Sequence, residues 1–351
     1  MITRSTISGL GAIACALFVL SGVSAPAHAD RLKIRIGYQA SPEKLIPMKL
    51  GRTDIAPHLG KSYDVDFVLF QASSIEVTAL ATEDIDIATL GYSSLGIALD
   101  GAKMEDLRLV ADGYRDGVPG AYSNDFMVLK DGPIHKVEDL KGKVLASNGA
   151  GSVVDIAMRY MMKKHGLEDK RDYTLIEASL PNMFPMLVQG KADLVTLNAI
   201  YAHNPKTAES ARTLFKERDA LGITEFAFYC ARTGFLQRNR EVLGDFFEDM
   251  VRATRWMLAP ENRGDATRML ADITKQSPEI LNTYYLLPGE DVYRDPDARP
   301  DVDALQRNLD AMQELGFIRS HIAVAKHTDL SFIDAAGARL KQSSNAKPSA
   351  P

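Results

Sequence analysis

The feature that most narrows the fold is one order of elements that occurs twice along the chain. Leu32, Ile34 and Ile36 alternate with Lys33 and Arg35, the period of a half-buried strand, and run into the loop Gly37-Tyr38-Gln39-Ala40-Ser41. A helix-compatible stretch from Pro42 to Leu59 follows, with Pro47 and Pro57 blurring its limits. A second strand is predicted over Asp64 to Phe70. Ser73-Ser74 then starts a helix from Ile75 to Thr82, with Glu76 in the first turn, and Ile85, Ile87 and Leu90 form a third strand ending at Gly91-Tyr92-Ser93-Ser94. Further on, Val144-Leu145-Ala146, a helix from Val153 to His165, a strand at Tyr173 to Ile176, a helix near Asn182 and a strand over Ala192 to Leu197 repeat that order. A single offset carries Ser41 onto Asn148, Leu80 onto Leu187, Asp86 onto Asp193 and Thr89 onto Thr196. Alternating strands and helices imply mostly parallel sheets covered by helices on both faces, and two copies imply two lobes.

The first thirty residues stand apart. Arg4 precedes an apolar run from Leu10 to Leu20, about eleven residues and shorter than the roughly twenty needed to span a bilayer. Ala27 and Ala29 then give the small-x-small pattern of a signal peptidase site, so residues 1–29 are expected to be an export signal cleaved after Ala29. Cleavage removes Cys15 and leaves Cys230 alone, which excludes an intramolecular disulfide; inside an apolar strand Cys230 is expected to pack as a small hydrophobe. Net charge is −5, with 46% hydrophobic and 25% charged residues. Such a chain has a globular composition and no basic field to gather nucleic acid.

The lobes are expected to be nested. The Gly-, Asp- and Pro-rich stretch Asp112 to Asn124 leads to the extended segment Phe126 to Leu129, and a matching segment, Glu225 to Ala231, follows the second copy. Read as crossings, these divide the chain into a first lobe at 30–124, a second at 125–225 and a completion of the first at 226–341. The last part is expected to be largely helical, and the small polar tail 342–351 disordered.

In an open parallel sheet the ligand sits beyond the carboxyl ends of the strands. The loops there hold Gln39, Ser41, Ser73, Ser74, Tyr92, Ser93, Asn148, Gly149, Gly151, Ser152, Asn182 and Asn198, nearly all small neutral hydrogen-bonding residues or glycines. Several precede helices, whose free N–H groups suit an anion, and Ser147 to Ser152 is the strongest such loop because its glycines let the backbone approach a ligand. Phe228 is a candidate aromatic wall, beside Tyr38 and Tyr92, and Arg115 the best candidate for an ion pair with an anionic ligand. Enzyme signatures fail: Gly149-Ala150-Gly151-Ser152 lacks the lysine of a P-loop, and Gly91 to Gly96 is too long for a nucleophile elbow. The histidines of residues 30–351 never fall four apart, so neither a metal nor a cofactor is expected.

Gly37-Tyr38, Ala79-Leu80-Ala81 with Asp84-Ile85-Asp86-Ile87-Ala88, Asp139-Leu140-Lys141-Gly142-Lys143-Val144 and Gln189-Gly190-Lys191-Ala192-Asp193 carry a family resemblance, as do Leu315-Gly316-Phe317-Ile318 and Asp329-Leu330-Ser331-Phe332. Over residues 32–340 the chain resembles the nitrate, sulfonate and taurine group of type II periplasmic binding proteins. The resemblance implies a two-lobed α/β protein, exported to the periplasm as a monomer, that closes by a hinge on one small molecule. That molecule would be a sulfonate, nitrate, taurine or an aromatic carboxylate, handed to the permease of an ABC-type importer. Two other readings share the fold: an enzyme acting on a small carboxylated ring, and a module presenting ligand to a sensor.

Overall fold

The structure is a computed structural model that describes residues 31–39 and 52–345. The expected export segment with its expected cleavage site, and Ser41, lie outside the described residues. In chain order the strands are β1 (Leu32–Tyr38), β2 (Tyr63–Leu69), β3 (Ile87–Gly91), β4 (Leu107–Asp116), β5 (Asp125–Leu129), β6 (Lys143–Ser147), β7 (Tyr173–Glu177), β8 (Leu194–Leu197), β9 (Ala211–Lys216) and β10 (Thr224–Arg232). The helices are α1 (Ser73–Ala81), α2 (Tyr92–Asp100), α3 (Val153–Lys164), α4 (Leu180–Val188), α5 (Ala199–Ala202), α6 (Pro205–Ser210), α7 (Glu217–Leu221) and α8 (Thr233–Arg238). They continue with α9 (Arg240–Leu258), α10 (Arg263–Thr274), α11 (Pro278–Tyr284), α12 (Val302–Glu314) and α13 (Ser331–Asn345).

Among the described residues the strands form two five-stranded sheets, ordered β2-β1-β3-β10-β4 and β7-β6-β8-β5-β9. The orders are the same once the repeat is laid on itself. In each sheet three neighbouring strands are parallel, and a fourth joins them antiparallel, β10 against β3 and β5 against β8. The outer strand beyond it pairs antiparallel again, which restores the common direction. The α/β class is therefore the observed one, and each sheet is mixed, with two parallel and two antiparallel pairings.

The repeat has a physical anchor in two aspartates. Asp86 accepts the backbone N–H of Arg35 at 2.8 Å while its own N–H donates to the Arg35 carbonyl at 2.8 Å. Asp193 makes the same two bonds to Val144, at 2.9 and 2.7 Å. Each pair fixes the register of the first strand of its sheet against the third.

Four expectations about elements are corrected. Residues 52–62 form turns where a helix was compatible with the sequence, and Pro57 sits among them. The stretch from Asp112 is strand as far as Asp116, because β4 pairs along β10. Phe126 to Leu129 and Glu225 to Ala231 are strands inside the sheets rather than the crossings themselves. The last helix continues to Asn345, past Lys341.

The chain passes from the first sheet to the second over residues 117–124 and returns over 217–223. These segments run side by side: Gly117 adopts φ +80°, and a Cβ there would stand 2.5 Å from the Gly222 carbonyl oxygen, so only glycine fits. The C-terminal third covers the first sheet. Helix α9 buries Leu243, Phe246, Phe247, Met250 and Val251, with Tyr63 edge-on to Phe246 at 5.5 Å and Phe332 of α13 5.2 Å from Phe247. At about 25 cal/mol per Å² this apolar contact supplies much of the hydrophobic stabilisation of that face.

Candidate functional site

The carboxyl ends of β3 and β6 carry the sequence-predicted loops, and the structure brings them together. A Cβ on Gly91 would lie 3.0 Å from Val153 Cγ2, and the Tyr92 hydroxyl donates to the Val153 carbonyl at 2.9 Å. Tyr92 is fully buried, and that burial pushes its phenol well above its ordinary range, so it remains a neutral donor. The N-terminus of α2 in one sheet unit thus abuts the N-terminus of α3 in the other.

Around this contact the first unit contributes Gln39, Ser73, Ser74 and Ser93. Gln39 is buried, and its side-chain amide donates to the Thr89 carbonyl at 3.2 Å, bracing the end of β1 against β3. Ser73 and Ser94 share a hydroxyl hydrogen bond of 2.7 Å that ties the start of α1 to α2. Ser93 is buried and Ser74 exposed. The residues preceding α1 and α2, Ala72 and Gly91, offer no side-chain cap, so the first-turn N–H groups there are not satisfied in the usual way.

The second unit behaves differently from expectation. In the loop after β6 the Gly151 N–H donates to Asp155 at 2.8 Å and the Ala150 N–H to Glu177 at 2.8 Å. Ser152 donates to the Asn148 side chain at 2.6 Å and caps α3 by accepting the Asp155 N–H at 3.3 Å. The glycine conformations are the expected unusual ones, with φ +150° at Gly149 and +73° at Gly151. Yet the chain's own carboxylates occupy two of the amides that were expected to cradle an anion. Asn182 is exposed in the first turn of α4. Asn198 precedes α5 without capping it, and its side-chain oxygen is buried with no hydrogen-bond partner.

Two candidates leave the site. Phe228 is fully buried in β10, paired with Leu90 on one side and Asp112 on the other, and forms core instead of a wall. Arg115, expected to meet an anionic ligand, is engaged within the protein: Nε lies 3.1 Å from Glu225 and 3.9 Å from Asp112, Nη2 lies 3.7 Å from Asp295, and Nη2 also donates to the Arg299 carbonyl. The guanidinium offsets buried carboxylates that cannot stay charged alone.

Sequence reasoning missed an aromatic group that also joins the two units. His203, at the end of α5, lies 5.3 Å from Tyr122 and is stacked on Tyr284 of α11 at 5.4 Å. Its Nε2 is 2.7 Å from Glu290, and its Nδ1 is 2.8 Å from the Ala199 carbonyl. No local pattern marks these residues, since their contacts join segments far apart in the chain. Cys230 is fully buried, and burial raises its thiol well above the ordinary range, which leaves no thiolate for chemistry. No group of three or more metal-ligating side chains occurs among the described residues.

The model of the NMT1/THI5-like family matches residues 64–263, more than half of the chain. The chain belongs to the NMT1/THI5-like family. Solved structures agree on the fold. The periplasmic aliphatic sulphonate binding protein SsuA from Escherichia coli superposes with a TM-score of 0.66 at 18% identity, over 84% of this chain and 97% of that one. The periplasmic nitrate-binding protein NrtA from Synechocystis PCC 6803 gives 0.65 at 14% identity, over 92% of each chain. The desulfurization enzyme DSZB gives 0.65 at 14% identity, over 88% of this chain and 100% of that one. No curated protein sequence matches. The two-sheet architecture of this family member is thus the type II periplasmic binding protein fold, one shared by binders and an enzyme.

Proposed function

We propose that this family member is an exported solute-binding protein that captures a small anionic organic molecule between its two sheet units and delivers it to the permease of an ABC-type importer. The observation that carries the reading is the meeting of strand ends: the uncapped N-terminus of α2 stands against the start of α3, with the uncapped N-terminus of α1 tied to α2 by Ser73 and Ser94, the place where an open α/β sheet takes its ligand. Export to the periplasm, the nested two-lobe division and hinge closure belong to this reading. Ser73, Ser74 and Ser93 with the first-turn amides of α1 and α2 would hold the anionic group, and Gln39 would brace them. Asn148, Gly149, Gly151, Ser152, Asn182 and Asn198 would close from the other side. The solved relatives named for sulfonate and nitrate suggest the ligand classes to try first.

Binding is favoured over turnover because the pathways to a nucleophile are shut: Cys230 is buried, and the acids nearest the loop, Asp155 and Glu177, already accept backbone N–H groups. Micromolar affinity requires about 8 kcal/mol, within reach of several charge-assisted hydrogen bonds after ordering costs. The test is a thermal-shift screen of the purified protein against alkanesulfonates, taurine, nitrate and aromatic carboxylates. A true ligand at 100 times Kd adds about 2.7 kcal/mol of stability. It should be recovered unchanged, and Ser74→Trp should abolish the shift without changing the unliganded melting temperature. No shift with any class, or chemical conversion of the ligand, would overturn the reading.

A further inference from the structure

The double crossing between the sheets contains two carboxylates that the proposed ligand site does not use. Asp116 closes β4 and Glu217 opens α7, and both are fully buried. Asn124 touches each of them. Its backbone N–H donates to Asp116 at 2.7 Å and its side-chain amide donates to Glu217 at 2.9 Å. Ser123 donates to the other Asp116 oxygen, and Thr224 donates to the other Glu217 oxygen at 3.2 Å. The five residues come from both passages of the chain, and the outgoing segment is laced to the returning one by the Asn124–Glu217 bond, by the Glu217 N–H donating to the Asn124 carbonyl at 2.9 Å and by the Arg218 N–H donating to the Ser123 hydroxyl at 3.1 Å. On either side lies a strand ladder, ending at the pair Thr224–Asp116 and resuming at Asp125–Lys216.

Neither carboxylate forms a salt bridge among the described residues. On α7, Arg218 acts on Asp116 through space, while its Nη2 donates to the Ala121 carbonyl at 2.9 Å. On β5, Asp125 is held by Lys216 at 3.2 Å, by Tyr122 at 2.9 Å and by Thr213 at 2.8 Å, and its charge adds to the repulsion on Asp116. From α2, Tyr92 brings a neutral phenol whose partner is the Val153 carbonyl. From α3, Lys164 reaches the carbonyls of Asp219 and Ala220 on α7, and Asp155 is paired with Arg159. One distant guanidinium therefore faces two desolvated acids, and two like charges cannot both be sustained there.

We propose that Asp116 and Glu217 keep at least one proton between them at the double crossing, and that its loss to water loosens the linkage between the two sheet units, making the order of that linkage depend on ambient pH. Burial works in the required direction on both groups. It raises Asp116 to about 6 and Glu217 well above the ordinary carboxylate range, with the charge of Asp116 adding to the effect on Glu217. Because both are raised, the stabilisation of the laced arrangement is full below the ordinary carboxylate values near 4 and is lost as pH rises through about 6 and beyond.

Hydrogen exchange read by mass spectrometry tests this without any ligand. The purified protein is compared at pH 5 and pH 8, with intrinsic exchange rates corrected. Segments 117–124 and 217–223 should lose about tenfold in protection at the higher pH, the change expected from Asp116 alone, while residues 243–251 of α9 keep theirs. Asp116→Asn, which mimics the protonated acid, should reduce the difference severalfold, and Glu217→Gln, which removes the like charge beside Asp116, serves the comparison if the first variant does not fold. Equal protection of the crossing at both pH values in the unaltered protein would overturn the proposal, as would an undiminished pH effect in the folded variants.

Discussion

Asp86 and Asp193 occupy the same place in the two halves of the molecule: each closes a two-bond clasp on the first strand of its sheet, Asp86 on Arg35 and Asp193 on Val144. The clasps differ in one respect. Arg35 also grips Asp86 with two guanidinium bonds, Nε at 2.9 Å and Nη2 at 2.7 Å, whereas Lys143 stands 3.9 Å from Asp193.

Asp86→Ala should therefore cost more than Asp193→Ala. Loss of a carboxylate that accepts a backbone N–H and a bidentate arginine is worth about 2–3 kcal/mol, and loss of the simpler clasp about 1–1.5 kcal/mol. Urea unfolding of the two variants should give that order; equal midpoints would show that the arginine contributes nothing.

Arg115 is a structural cation. Arg115→Ala removes the guanidinium that faces the buried Glu225 and should destabilise the protein by about 3–5 kcal/mol. In the fraction that remains folded, affinity for a ligand found by the screen should be unchanged. A loss of affinity with an unchanged melting temperature would return Arg115 to the binding site.

Asp172 governs part of the acid response. The Arg171 guanidinium and the Glu168 N–H hold its carboxyl down to about 2. A lowered value means that its contribution is present above about 4 and is lost as pH falls toward 2. Asp172→Asn should flatten the stability curve in that window and change nothing in shape above pH 5, as acid titration followed by circular dichroism would show.

Cys230 should be inert in the folded protein. It is fully buried in β10, and burial, with the Glu76 carboxylate adding to the effect, pushes its thiol up. A chromogenic disulfide reagent should react at the rate of global unfolding; prompt reaction under native conditions would contradict this burial.

Much of the architecture was legible before any tertiary contact was known. The strands of both copies, the start of α3 and the helical character of the C-terminal third follow from apolar periodicity and capping, which are local properties of the chain. The repeat, together with the rule that such sheets are mostly parallel, determined the class. The polar, glycine-containing loops likewise announced which ends of the strands would matter.

Only the tertiary structure decided what those loops have left to offer. The amide of Ala150 is taken by Glu177, which lies far along the chain, and Arg115 is taken by Glu225 and Asp295, more distant still. Phe228 turns into the core because β10 runs between β3 and β4, a pairing that no local pattern encodes. The sequence by itself determined the elements and their repeat, because helix and strand periods are set by near neighbours. Which charges are free, which aromatics face the gap and which acids are trapped at the crossing depends on partners beyond the reach of a local pattern, Asn124 with Glu217 and Arg115 with Glu225 among them, and folding alone brings those together.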